Sequence, residues 1–231
     1  MKSKKIRKKA IHSGRYLFKT CVKWIPLFFL NMLRNYVSVS ETIKDVGRFM
    51  KEISIHGRGG QGSLVLAQFI AIAALEDGKY GQAFPFLGGG GERVGKPIMA
   101  FCRLDDQPIR LRSRVSKADY AIVQDVTILY EVDVLDGLKP GGMILVNTDK
   151  APEALGLKDD FKLFTFSADN LAREILGRPI VNTALLGAFS AMTREVSLHA
   201  ALNAVRSKFP GNLGEKNAQV VEKSYQMLAG E

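Results

Sequence analysis

Thiols are scarce in this chain. Cys21 and Cys102 are its two cysteines; they lie far apart, and no C-x-x-C or Cys/His spacing suited to zinc or to an iron–sulfur cluster is present. The chain is therefore expected to bind no metal of its own, and a reduced, cytoplasmic setting fits. A membrane-spanning run is missing as well. Cys21 to Leu33 is apolar but broken by Lys23, Pro26 and Asn31, short of the ~20 residues that a spanning helix needs. There is no Walker A lysine, no zinc-hydrolase pattern and no G-x-S-x-G.

Excess charge is also missing from most of the molecule, despite a formal net charge of +10. Residues 1–49 hold 12 Lys/Arg against Glu41 and Asp45, and the remainder holds 21 basic and 21 acidic residues. A neutral globular part argues against a basic groove, so no nucleic-acid partner is expected. A chain of 231 residues can bury one good core. The expected organisation is a basic, partly apolar extension over 1–49 followed by a single domain over 50–231. Several readings of the extension stay open. It is a disordered or non-native leader, since Met50 directly precedes Lys51-Glu52; a signal-like segment with a poor cleavage site at Ser38-Val39-Ser40; or a partner- or membrane-contacting arm presenting Trp24, Phe28, Phe29, Leu30 and Leu33 beside lysines.

What is abundant is glycine next to a β-branched segment. Ile53 to His56 reads as a strand, Gly57-Arg58-Gly59-Gly60-Gln61-Gly62 as a turn, and Leu64 to Leu75 as a helix stopped at Gly78. Backbone N–H groups and the helix dipole at such a turn can hold an anion. The helix is apolar on nearly every side, with Gln68 its one polar residue, so burial on more than one face is expected. Tyr80 to Pro97, with the glycines 88–91, shows no regular pattern. Ile98–Leu104 and Pro108–Leu111 look like a hairpin around Asp105-Asp106-Gln107. Further strands are expected at Ala118–Val123, Met143–Val146 and Phe161–Phe166, with a turn over Lys139–Gly142. Helices are expected at Thr127–Leu135, from Ser167 or Asp169 to Leu176, from Asn182 to about Met192, and near Ser197–Phe209 and Gly214–Leu228. The predicted fold is α/β: a three-layer α/β/α domain around a mixed, mostly parallel sheet.

Gly57-x-Gly59-x-x-Gly62 satisfies the dinucleotide fingerprint literally, but the acid that should follow at the end of a second strand is missing. Glu76 and Asp77 have the spacing and fall instead at the end of the first helix. Three readings of the turn remain: a tight strand-to-helix passage, an NAD(P) or FAD site, or N–H groups offered to a phosphate or a partner subunit. His56 is either a hydrogen-bonded structural residue or a proton carrier. Cys102 reads as a buried small hydrophobe. Asn147, Thr148, Asn182 and Thr183 sit where strands or turns meet helices, with capping as their default role.

His56 to Gly62, Phe84-Pro85, Gly91-Glu92-Arg93 with Gly95 and Pro97, Pro108-Ile109-Arg110, Gly137 to Gly142 leading into Val146-Asn147-Thr148, and Gly177-Arg178-Pro179-Ile180 with Asn182-Thr183 are ordered along residues 51 to about 225. Together they resemble the gamma subunit of the pyruvate/2-oxoacid:ferredoxin oxidoreductases. The resemblance implies a complex that decarboxylates a 2-oxoacid oxidatively, reduces ferredoxin and transfers the acyl group to coenzyme A. It implies alpha, beta and delta (ferredoxin-like) partner subunits that carry thiamine diphosphate, Mg²⁺ and iron–sulfur clusters, and this chain has no acidic G-D-G…N thiamine–Mg²⁺ motif of its own. By the same resemblance the chain covers the active site and contacts coenzyme A. It would do so through Gly57, Arg58, Gly59, Gly60, Gln61 and Gly62, and through Phe84, Pro85, Glu92, Arg93, Lys96, Asn182 and Thr183, with no catalytic residue beyond a role for His56. One departure stands out: the family's short F-G-x-E-R-R-G is replaced by Leu87, extra glycines and Val94 in place of the second arginine. The alternatives are a free-standing NAD(P)- or FAD-binding Rossmann-like oxidoreductase and a membrane-associated adaptor.

Overall fold

The computed structural model describes residues 50–86, 94–157 and 160–230. The extension over 1–49, with Cys21 and Trp24, lies outside the described residues, as do the glycines 88–91, Glu92 and Arg93. Six strands form one sheet in the order β2-β3-β1-β4-β5-β6: β1 (Lys51–Arg58), β2 (Tyr80–Phe86), β3 (Pro97–Asp105), β4 (Ala118–Val123), β5 (Leu138–Asn147) and β6 (Lys162–Phe166). β1, β4, β5 and β6 are parallel, and β3 runs antiparallel to both β1 and β2. The mixed α/β sheet is thus the one expected.

The hairpin is not. β3 pairs with β2, from Tyr80↔Asp105 to Phe86↔Met99, and Pro108–Leu111 forms no strand. The alternation in Tyr80–Phe86 is real but hidden by small residues. A Cβ on Gly81 would lie 2.4 Å from the Ala71 carbonyl oxygen, so glycine lets the first helix lie on this strand. Pro85 is accommodated because β2 is an edge strand. The Leu111 and Ser113 carbonyls, instead of joining a ladder, accept from the Arg103 guanidinium.

The five described α-helices are α1 (Ser63–Glu76), α2 (Ala168–Leu176), α3 (Asn182–Thr193), α4 (Leu198–Lys208) and α5 (Asn212–Ala229). All five contribute to one core with Ile53, Ile55, Cys102, Ile122 and Leu145 of the sheet. α1 packs against β1, β2 and β3 on one side and α3 and α4 on the other, which explains its all-round apolarity. On the opposite face Phe101, Ala121, Val123, Ile144 and Val146 are covered by Val115, Ile128 and Val134. There the outer layer is 3₁₀ and irregular. The helix expected over Thr127–Leu135 is two 3₁₀ turns, Val126–Tyr130 and Leu135–Gly137, the first held by Asp125 accepting from the Thr127 N–H at 2.9 Å. The turn expected at Lys139–Gly142 is absorbed into β5, where the register against β4 shifts between Ala118 and Tyr120.

Candidate functional site at the β1–α1 turn

The carboxyl ends of the four parallel strands share one edge of the sheet. From β1 the chain goes to β2 and β3 on one side, and from β4 to β5 and β6 on the other. The β1/β4 boundary is therefore the topological switch point, the place where open α/β sheets take ligands.

Gln124, just past β4, organises that boundary. Its N–H donates to the His56 carbonyl at 2.8 Å, its Oε1 accepts from Ser63 Oγ at 2.5 Å, and its Nε2 donates to Asn182 Oδ1 at 2.8 Å. One glutamine thus joins β1, the first residue of α1 and the first residue of α3. Asn147 continues the row: its Nδ2 donates to the Gln124 carbonyl at 2.8 Å and to Asp169 Oδ2 at 2.7 Å, and its Oδ1 accepts from the Ala168 N–H at 2.9 Å. The cap of α2 is therefore supplied by Asn147 across the sheet, in place of Ser167 or Asp169. Gly57 is required by this packing, because a Cβ there would sit 2.3 Å from both Gln124 Oε1 and Ser63 Oγ. Gly57→Ala is expected to lower stability by about 1–3 kcal/mol, the range for overpacking, with part of the loss recovered by adding Ser63→Ala; equilibrium unfolding of the two variants checks it.

Arg58 closes the other side of the turn. Its guanidinium donates to Asp125 Oδ2 at 3.1 Å, Glu131 Oε1 at 2.6 Å, Thr127 Oγ1 at 2.5 Å and the Gly95 carbonyl at 3.1 Å. Its N–H donates to Gln61 Oε1 at 2.7 Å. Burial alone would raise the Asp125 carboxyl, but hydrogen bonds from Thr127 and the Arg58 guanidinium outweigh it and hold the group below its ordinary range. Gly59 bonds the incoming loop from both sides, its N–H to the Lys96 carbonyl at 2.9 Å and its carbonyl to the Gly95 N–H at 3.0 Å. The turn and the Val94–Lys96 segment are one unit.

The remaining sequence-predicted residues divide cleanly. Gly60 is exposed with φ 96°, and Gly62, with φ 77°, is the N-cap of α1, which has no side-chain cap. Asn182 belongs to the turn, since its Nδ2 is 2.7 Å from where a Gly62 Cβ would be. Thr183 points elsewhere, into the α3–α5 contact, with Oγ1 3.1 Å from Asn217 Oδ1. Phe84 lies under the Arg103 guanidinium and Pro85 is exposed on β2. The Lys96 side chain is exposed beside the turn. Val94, standing where the second arginine was expected, is 91% exposed. His56 is buried at 4% exposure, its Nε2 3.1 Å from Ser54 Oγ, and burial lowers its pKa to about 4. At neutral pH it is an uncharged, internally bonded imidazole.

Gln124, Ser63, Asp125 and Asp169 were not singled out from sequence as site residues. The signal that would find Gln124 and Asn147 is their position at the carboxyl ends of parallel strands. Asp77, by contrast, lies at the far end of α1, ~20 Å along the helix axis, where it accepts from the Ser197 N–H and Oγ at 2.6 Å. It cannot serve a ribose at the turn. Cys102 is fully buried, and burial pushes its thiol up.

A family model described as pyruvate ferredoxin/flavodoxin oxidoreductase matches residues 52–227. The chain belongs to the pyruvate ferredoxin/flavodoxin oxidoreductase family. Among its relatives, pyruvate synthase subunit PorC of Methanosarcina barkeri is 50% identical over 182 residues, covering 79% of this chain and 99% of the relative. The pyruvate/ketoisovalerate oxidoreductases common subunit gamma of Thermococcus kodakarensis is 46% identical over 179 residues, covering 76% of this chain and 96% of the relative. The crystal structure of pyruvate oxidoreductase subunit PORC from Thermotoga maritima superposes with a TM-score of 0.66 at 33% identity, covering 77% of this chain and 96% of that one. Within the pyruvate ferredoxin/flavodoxin oxidoreductases the chain is thus of the gamma type, which displaces the free-standing dinucleotide enzyme and the membrane adaptor. No described helix is long and apolar enough to cross a membrane.

Proposed function

We propose that residues 50–231 act as one domain, the gamma subunit of a cytoplasmic 2-oxoacid:ferredoxin oxidoreductase that converts pyruvate or a related 2-oxoacid to acyl-CoA. The observation that carries this reading is correspondence over nearly the whole length of gamma subunits, from a family match that starts at residue 52. Partner alpha, beta and delta subunits hold thiamine diphosphate with Mg²⁺ and the iron–sulfur clusters, which supply decarboxylation and electron transfer to ferredoxin. The extension over 1–49 is a separate element.

This chain's own part is binding and cover. The backbone-rich turn Gly57–Gly62, with Asn182 behind it and Lys96 beside it, faces partner subunits and the phosphates of coenzyme A, and Glu92 and Arg93 are assigned to the same contact by the family motif in which they stand. Arg58 contributes by shape, since its guanidinium is engaged by Asp125 and Glu131. Lys96→Gln in the assembled complex is expected to raise the KM for coenzyme A several-fold and leave the 2-oxoacid KM and the melting temperature unchanged. Steady-state kinetics in each substrate checks it.

Affinity purification of the full chain from its source tests the assignment. The expected preparation contains thiamine diphosphate, iron and three further subunits, and reduces ferredoxin with a 2-oxoacid and coenzyme A. Recovery of an active lone chain that binds NADH saturably in a fluorescence titration would overturn it.

A further inference from the structure

The segment from Gln107 to Lys117 runs across the second face of the sheet and carries Arg110, Arg112, Arg114 and Lys117 with no carboxylate of its own. It is held from beneath. The Arg103 side chain, 1% exposed, donates to the Leu111 carbonyl at 3.2 Å and the Ser113 carbonyl at 2.7 Å, and Val115 is buried in the second core. Two carbonyls two residues apart accept from one guanidinium, the spacing of an extended chain. With its backbone fixed in this way, the segment turns its cations outward: Arg110, Arg112 and Arg114 are exposed, as is Leu111 at 45%. Lys117 pairs with Asp136. Among the described residues no ion pair involves the other three. The Arg114 guanidinium rests over the Phe86 ring at 4.7 Å, which limits its freedom without neutralising it.

Three arginines within five residues, in no ion pair among the described residues, stand out in a domain whose charges balance as a whole, 21 basic against 21 acidic beyond residue 49. A solvated face would normally intersperse both signs. Arginine with flanking apolar surface, on a backbone that is already ordered, is the composition of a docking site. We propose that Arg110, Arg112 and Arg114 form a docking strip for an acidic stretch of another subunit of the complex. This rests on the subunit assignment above. The occupant follows from charge: planar guanidinium forks take carboxylates in pairs, and a strip with no acidic residue leaves that sign to the partner.

Assembly of the full complex against salt tests the strip. The complex is prepared with the wild-type chain, with the triple variant R110A/R112A/R114A, and with R112E alone, and release of this chain is followed by size-exclusion chromatography. At roughly 50 mM salt, where screening is weak, the triple variant is expected to bind its partners about tenfold less tightly or worse. R112E should weaken binding alongside it, and the gap to wild type should narrow as salt rises. The arginines are exposed, so the melting temperatures of the free chains should lie within a few degrees of each other, the loss of Arg114 from the Phe86 ring accounting for the difference. A triple variant retained like wild type at every salt concentration would overturn the strip. So would unchanged assembly with a raised KM for coenzyme A, which would assign the arginines to a small-molecule phosphate. A wild-type chain that joins no complex would overturn the subunit assignment itself, and the strip with it.

Discussion

Replacing Arg103 with methionine is expected to cost the fold about 2–4 kcal/mol, from buried hydrogen bonds left unmade and a partly buried ion pair broken, with Lys139 still beside Glu52. The side chain is 1% exposed and each of its three nitrogens donates: Nε to Glu52 Oε1 at 3.0 Å, Nη1 to Gln82 Oε1 at 3.4 Å and the Leu111 carbonyl, and Nη2 to the Ser113 carbonyl. Its flat face lies 5.0 Å above the Phe84 ring. Methionine fills much of the volume but leaves two carbonyls without their donor and the Glu52 carboxylate, 15% exposed, with only Lys139 Nζ at 3.9 Å. Chemical denaturation measures the loss. Limited trypsin digestion locates it, because Arg110, Arg112 and Arg114 become cleavable once the 107–117 segment lifts. A loss below about 1 kcal/mol, the level of an exposed pair, with no new cleavage there, would mean that the segment is held by something other than Arg103.

The second large effect is a pH dependence set by His56. Its pKa in the folded chain is lowered by burial to about 4, against about 6.5 for an exposed histidine. Between those values the unfolded chain binds a proton that the folded chain does not, so stability falls as pH drops through that window and is fully present above it. The integrated loss from pH 7 to pH 4 is about 3 kcal/mol, at about 1.4 kcal/mol per pKa unit. His56→Gln removes the titration and keeps a side chain able to reach Ser54. Its stability should vary far less over that range, apart from what the carboxylates contribute. The lowered Asp125 carboxyl acts at lower pH, since its loss begins as pH falls below the ordinary carboxylate range. Parallel curves for wild type and His56→Gln would show that the imidazole is solvated.

Local pattern carried the first half of the site. The β-branched run, the glycines and the apolar helix mark β1, the turn and α1, and each signal is written within about one turn of helix or strand. β2 was illegible for a physical reason: Gly81 and Pro85 are turn residues by composition, yet here glycine lets α1 approach and proline occupies an edge. The helix expected over Thr127–Leu135 is instead two 3₁₀ turns, although Asp125 caps the first by accepting from both the Thr127 N–H and its Oγ1. The polar half of the site is a tertiary product. Arg58 finds Asp125 67 residues away and Glu131 73 residues away, and Gln124 finds Asn182 58 residues away. No spacing rule reaches that far. The ordered family motifs recovered the region, although not these partnerships.

Reconstitution tests the central claim most directly. Partner subunits purified without this chain are assayed for coenzyme A-dependent reduction of ferredoxin by pyruvate, before and after addition of the full chain. The expected result is little acyl-CoA formation alone and restored turnover at one added chain per set of partners. Full activity without the chain, or none after it has been added and has bound, would contradict the assignment.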